Sequence, residues 1–537
     1  VIRETFFVVC FASIRVGSWF QSFWQSWKRE PTLKLTNLRA SALLLLSLTL
    51  NPLCVVPQVS PKVPIADLVV INAKVRTMTS SDSIAEAFAV SGNRIIAIGT
   101  NKLIRTLIGP STRVIDAQGR LVLPGFNDAH VHFMAIGNSF SSIDLRYVTT
   151  APEMAQRISR YVRFLPKGRW ILGGHFKIEN SQLPDRKALD AISPDNPVFL
   201  YSSDSTTALA NSQAFKRASL KDDLPDVDRD TSGAPTGIVR GVALQKIAAA
   251  IPADHIRNWI EVAETATNYA ASLGVTSVQD MHSDDSRSIY RELQRQGKLK
   301  TRVYDCLPLR DWKKLMDSRL RNERDAMVTD GCLKGFSDGD DDAKAVLLRD
   351  VAAADAVKLQ IMIHAIGRDA NRIVLDVFEQ TAKLDGRRDR RFRVEHAHKV
   401  RDEDLGRFVR SEIIASMQPA LFDGSSESRF GTLMKQKARV AFGSDASMID
   451  LNPLLGIEAA VNAGSESISV YDAVRAYTLG SAFAEFREKE KGTIEVGKLA
   501  DFVILSDDIF SVPASELKDV KVIWTVVDGR LVYQAKE

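Results

Sequence analysis

At 537 residues, with 45% hydrophobic and 26% charged residues, the chain is long enough for a large barrel with an appended domain and has an ordinary globular composition. A formal charge of +5 and the lack of any long basic block argue against a nucleic-acid partner. The four cysteines, Cys10, Cys54, Cys306 and Cys332, show no paired spacing, so neither a disulfide framework nor a cysteine metal site is expected.

The first 60 residues differ from all that follows. Residues 1–27 are rich in Phe, Trp and Val, residues 34–39 are polar and basic, and the apolar run Ala42-Leu43-Leu44-Leu45-Leu46-Ser47-Leu48-Thr49-Leu50 ends at Asn51-Pro52. That order matches the n-region and h-region of a secretory signal. The run is shorter than the roughly 20 residues that span a bilayer, so no stable membrane span is expected in the mature chain. Residues 1–60 read as a disordered leader whose segment 34–54 directs export to the periplasm or exterior; without that signal the chain would be cytoplasmic.

From residue 66 short strands alternate with turns: Asp67-Leu68-Val69-Val70-Ile71, Ala87-Phe88-Ala89-Val90, then Arg94-Ile95-Ile96-Ala97-Ile98. The C-terminal Phe502-Val503-Ile504-Leu505 and Val522-Ile523-Trp524-Thr525-Val526-Val527 have the same character. Residues 61–120 and 491–537 therefore read as one composite β-sandwich domain built from both chain ends. Between them, residues 121–490 alternate strand and helix, with an extra subdomain inserted at about 150–270. The expected parallel strands are the apolar run from Leu121, then 274–279, 301–306, 332–336, 359–363, 391–395, 412–416 and 439–443. Eight such strands predict an α/β fold, a (β/α)8 TIM barrel with its active site at the strand C-terminal ends.

Polar residues gather at those ends. His130 and His132 follow the first strand two residues apart, and in extended backbone that spacing points both imidazoles the same way, toward a shared metal ion. His364 ends the fifth strand, His396 the sixth and Asp445 the eighth, while Lys334 sits near the start of the fourth. His175, His255 and His282 have no partner spacing, although His282, at the end of the second strand, is near enough to approach the pocket; His398 follows His396 by two residues but is expected beyond the strand, and all four read as structural.

Several segments, in this order, resemble one family. They are Leu123-Pro124-Gly125-Phe126-Asn127-Asp128-Ala129-His130-Val131-His132, Lys334-Gly335-Phe336-Ser337-Asp338-Gly339, Ile363-His364-Ala365, Arg393-Val394-Glu395-His396, Ser416-Met417-Gln418-Pro419, Phe442-Gly443-Ser444-Asp445, and Lys491-Gly492-Thr493-Ile494 running on to Ala500-Asp501. The set resembles the amidohydrolase superfamily, and within it family 3, with members like N-substituted formamide deformylase and the exoenzyme regulatory proteins. The resemblance implies one or two divalent metal ions, most often zinc. It places His130, His132, His364, His396 and Asp445 among the ligands, with Lys334 as the lysine that binuclear relatives carboxylate to bridge two ions. Asp445 becomes the catalytic acid/base, and the implied reaction is hydrolysis of a C–N bond other than a peptide bond in a small-molecule amide or N-formyl or N-acyl amine. For Asp338, Gln418 and Arg393, holding ligands or substrate and a purely structural role are both open.

The chain also departs from the family pattern. It reads Asp204-Ser205-Thr206 where relatives carry Asp-Gly-His, lacks the glutamate after Thr236-Gly237-Ile238-Val239-Arg240, and runs from Gly339 through Asp340-Asp341-Asp342 almost directly into a helix. The stretch from Pro419 to Arg439 is short as well. A deaminase or cyclic amidase of the same superfamily and a non-catalytic, ligand-binding relative with degraded loops are the alternative readings; homo-oligomerisation is open.

Overall fold

The computed structural model describes residues 65–536, apart from short segments at 82, 140–141, 146–147, 149, 163–164, 166, 177–182, 203–205, 222–223, 253–258, 282–285, 321–326, 422–426 and 447. The expected leader with its export signal, His255, His282 and the Asp204-Ser205 pair lie outside the described residues. Among the described residues no helix is long and apolar enough to cross a membrane.

Short runs rich in Val, Ile and Phe, such as the fully buried Leu68–Ile71 and Phe502–Leu505, make the segments on either side of the barrel β. Leu68–Ile71 pairs with Ala87–Ser91 on one side and Arg113–Asp116 on the other, and Arg94–Gly99 completes a four-stranded sheet. A second sheet runs in the order Arg530–Gln534, Val522–Val527, Phe502–Leu505, Leu121–Pro124, Lys74–Arg76, Ile84–Ala85. The two share one apolar core, in which Phe88 of the first meets Phe502 of the second edge to face at 4.9 Å beside Val70, Val90, Val122 and Val526.

Eight parallel strands form the barrel: β1 (Phe126–Val131), β2 (Val275–Met281), β3 (Arg302–Pro308), β4 (Val328–Ser337), β5 (Gln360–Ile366), β6 (Arg393–His398), β7 (Ile414–Met417) and β8 (Arg439–Phe442). Helices return the chain between strands; Arg368–Leu384, for example, buries Ile373, Val374, Val377 and Phe378 along one stripe. The barrel closes just past the strand ends, where the Asp445 amide donates to the His130 carbonyl (2.8 Å) and the His132 amide to the Ala446 carbonyl (2.6 Å). Between β1 and β2 a six-stranded sheet begins at Ser142 and keeps its own core of Met154, Ile158, Leu200 and Leu209.

Three details differ from the sequence expectations. The apolar run at Leu121 divides: Leu121–Pro124 stays in the sandwich, and the first barrel strand starts after Gly125. Two successive amides make the switch, Gly125 donating to the Asp501 carbonyl and Phe126 to the Gly274 carbonyl, both at 3.0 Å. A Cβ on Gly125 would come within 2.1 Å of the Thr276 side chain, so any larger residue at that crossover would have to displace Thr276. Lys334 lies in the C-terminal half of β4, because the β-branched Val328 and Thr329 begin the strand earlier than expected. Cys306 and Cys332, expected unpaired, are register partners on β3 and β4 and form a disulfide. Their separation of 26 residues is one strand-helix repeat, which sets them side by side in a way that short-range spacing does not reveal.

The sandwich is tied to the barrel by a buried ion pair. Arg302, at the start of β3, donates to Asp501 at 2.6 and 3.0 Å and to Asp528 at 2.9 Å, and its side chain and that of Asp501 are each only 3% exposed. Removing one member of such a pair leaves an uncompensated buried charge, a cost of about 3–5 kcal/mol. Arg302→Ala is expected to lower the stability of the chain by about that much, read as a fall in the denaturant midpoint by circular dichroism; an unchanged midpoint would mean that Asp501 is not left as an uncompensated charge when Arg302 is removed.

Candidate metal centre

Each candidate side chain is delivered by a strand end. Asp128 and His130 share one side of β1, where extended backbone repeats every second residue. Asp128 is fully buried and accepts hydrogen bonds from the His130 and Ser444 amides, all at 3.0 Å, which pins the end of β1 to the turn after β8. Burial pushes its carboxyl up to about 7. Gly443 makes the approach feasible, since a Cβ there would sit 2.4 Å from the His130 amide nitrogen.

Among the described residues one group of side chains has the reach to hold an ion: the ligand atoms of His130, His132 and Asp445 lie within 4.8 Å of one another. Nε2 of both histidines stands 3.5 Å from Asp445 Oδ1. Lys334 Nζ is 3.2 Å from His130 Nε2. The His396 ring packs 4.8 Å from that of His130 and 4.5 Å from that of His364. The six residues named from the sequence thus meet at one end of the barrel, with His364 joined to the group through His396 and with Asp338 exposed at the rim. His398, expected beyond the sixth strand, is the last residue of β6, and its ring bonds to Ser428 Oγ at 3.1 Å.

The electrostatics favour neutral imidazoles. Burial, then the Lys334 ammonium, holds His130 well below its ordinary range; burial, then His130, does the same for His396. His364 is lowered too, by burial and Lys334. Burial lowers Lys334 despite the attraction of Glu395 and Asp445, and raises Asp445 despite Lys334. Each shift moves its group toward the uncharged form, which in histidine leaves a lone pair for a metal.

Behind the histidines stands a set of positioning groups. Glu395 Oε2 lies 2.5 Å from His130 Nδ1, and Gln418 Oε1 lies 2.8 Å from His396 Nδ1. With Nδ1 so engaged, Nε2 is the nitrogen of each ring that would ligate an ion. Arg393, fully buried, donates to Glu395 (2.7 and 3.1 Å), to the Ala129 carbonyl (2.6 Å), to Ser416 Oγ (3.0 Å) and to Gln279 Oε1. Sequence reasoning assigned no role to Glu395 or Asp128. Glu395 stood in plain view beside His396, and the alternation of β1 put Asp128 on the same side as His130.

A model of the amidohydrolase family matches residues 113–533. The chain belongs to the amidohydrolase family. It is 31% identical to the protein LONG AFTER FAR-RED 3 of Arabidopsis thaliana, over 87% of this chain and 92% of that protein. It is 28% identical to the N-substituted formamide deformylase of Arthrobacter pascens, over 87% and 98%. Its fold matches an uncharacterized metal-dependent hydrolase from Pyrococcus horikoshii with a TM-score of 0.60 at 26% identity, covering 83% of this amidohydrolase and 99% of that chain.

In metal sites, loss of a hydrogen-bonding partner behind a ligating histidine weakens metal binding about 10–100-fold. Glu395→Gln in this amidohydrolase is expected to raise the zinc dissociation constant by that factor, measured by chelator competition. Unaltered affinity would show that Glu395 serves Arg393 and the core rather than His130.

Proposed function

We propose that this amidohydrolase cleaves C–N bonds other than peptide bonds, in a small-molecule amide or an N-formyl or N-acyl amine. One observation carries the reading: the convergence of His130, His132 and Asp445 within 4.8 Å beside Lys334, at the strand ends of a barrel. Two imidazole nitrogens and a carboxylate oxygen suit a divalent ion such as zinc, and His364 and His396 would supply further nitrogens to a larger ligand set. A bound divalent ion polarises a substrate carbonyl and brings the pKa of water toward neutrality.

The chain's own groups do the rest. Glu395 and Gln418 hold the Nδ1 sides of His130 and His396 and keep the rings in place. Asp445, its side chain 10% exposed and its carboxyl raised by burial, is the group suited to accept the proton of an attacking water and return it to the departing amine. Lys334, once carboxylated, would join the ligand set and bridge two ions; as an amine it leaves a centre for one.

The test is made on the full chain, supplied with zinc, by mass-spectrometric metal analysis and a screen of N-acyl and N-formyl amines. Wild type is expected to retain about one or two ions per chain, and the His130→Ala, His132→Ala double variant to lose them. Asp445→Asn should lower turnover about 10²–10⁴-fold. A folded wild type that takes up no zinc would overturn the proposal.

A further inference from the structure

Beside the candidate metal centre lies a cavity of about 850 Å³, with His132 and Lys334 on its surface. That volume falls within the range of small-molecule sites. The rest of its lining is mostly apolar, with Met134, Met281, Leu309, Phe336, Val346 and Leu347 as its main side chains.

Part of this wall comes from an unusual place. Gly339, at φ +89°, turns the chain, and the helix Asp341–Ala356 starts two residues later. Ala343, Val346, Leu347 and Asp350 follow the i, i+3, i+4, i+7 spacing of one helical face, and all four line the cavity. With so short a connection after β4, the helix itself takes the place of a loop. Val346 is 51% exposed and Phe336 62%, a costly way to display large apolar side chains unless something covers them. Phe336 is also close to the chemistry, its ring 5.4 Å from that of His364 and 5.3 Å from Lys334 Nζ. Besides Lys334, two charged side chains reach the lining, Arg310 and Asp350, and Asp350 is paired with Arg349 at 2.9 Å.

Resting on the hydrolase reading above, we infer that the β4 end and the helix Asp341–Ala356 form the specificity wall of this enzyme, and that its substrates carry a bulky, uncharged alkyl or aryl group beside the scissile C–N bond. Phe336, Val346 and Leu347 receive that group. His132 and Lys334, on the same cavity, place the bond at the metal centre.

The experiment uses the zinc-supplied full chain and two homologous series, N-formyl alkylamines and N-methyl alkanamides, each from one to six carbons. Since each buried CH2 contributes a roughly constant increment, kcat/KM is expected to rise about fourfold per carbon in one series. N-formyl-6-aminohexanoate, of similar length but charged, should fall well below the hexyl compound. Phe336→Ala should cut the hexyl-to-methyl ratio about tenfold, and Val346→Asp, at an exposed position where folding is not at stake, should cut the same ratio. A flat length dependence, or faster turnover of the carboxylate, would overturn the inference while leaving the hydrolase reading intact. If nothing is turned over, calorimetric binding of N-hexylformamide and N-methylformamide separates the two claims. Tighter hexyl binding that Phe336→Ala abolishes would uphold the wall and sink the reaction; equal binding would overturn the wall.

Discussion

The candidate centre depends on the seam where the first barrel strand meets the last. Asp128 reaches across it and accepts from two amides, those of His130 and Ser444, so the residues preceding Asp445 are held against the residue that carries the first histidine. No ladder hydrogen bonds are needed there, because the Asp445 and His132 amides supply two of their own. The close approach requires a residue without a side chain at 443, and Tyr477 donates from behind to the Gly443 carbonyl at 3.2 Å. The same contacts that close the cylinder therefore set the distance between the histidine pair and the carboxylate.

This arrangement is expensive. Asp445 at φ 58° and His396 at φ 72° occupy the left-handed region, which costs a non-glycine residue on the order of 1–3 kcal/mol. Arg393 and Glu395 are both removed from water, and a buried pair of that kind is neutral at best beside an apolar replacement. What the pair contributes is direction. Arg393 uses its guanidinium to join β1, β2, β6 and β7 at one point, and Glu395 passes that rigidity to the His130 ring. Strain and buried charge concentrated at one end of a barrel are the mark of a site whose geometry matters more than its stability.

Much of this was legible before any coordinates. The alternation of strand and helix specifies the barrel, and the two-residue spacing of His130 and His132 implies a common target because the period of a strand is two. Residues that act through others were harder to read. Glu395 adjoins His396 and Asp128 lies two residues before His130, but only the curvature of the sheet brings Glu395 to β1 or Asp128 to Ser444. The disulfide was hidden for the same reason: register between β3 and β4 is a property of the closed sheet, absent from the interval between two cysteines. The division of the Leu121 run at Gly125 was also beyond a hydrophobicity pattern, since both halves are buried and only their hydrogen-bond partners differ.

Short connections after β4 need not have cost the chain its centre, because the two depend on different parts of the fold. The candidate ligands sit on strands, directly after β1 in the case of His132, or in the tight turn after β8, and their supports, Asp128, Glu395, Arg393 and Gln418, sit on strands or directly after them. None is drawn from the segment between Gly339 and the helix that follows. That segment therefore bears on what surrounds the ligands and not on their own placement: a helix face carrying Val346 and Leu347 borders the cavity. In a barrel whose ligands are held by strands and whose surroundings are set by the connections after them, a helix in place of a loop bears on what the cavity admits and leaves the strand-borne residues untouched.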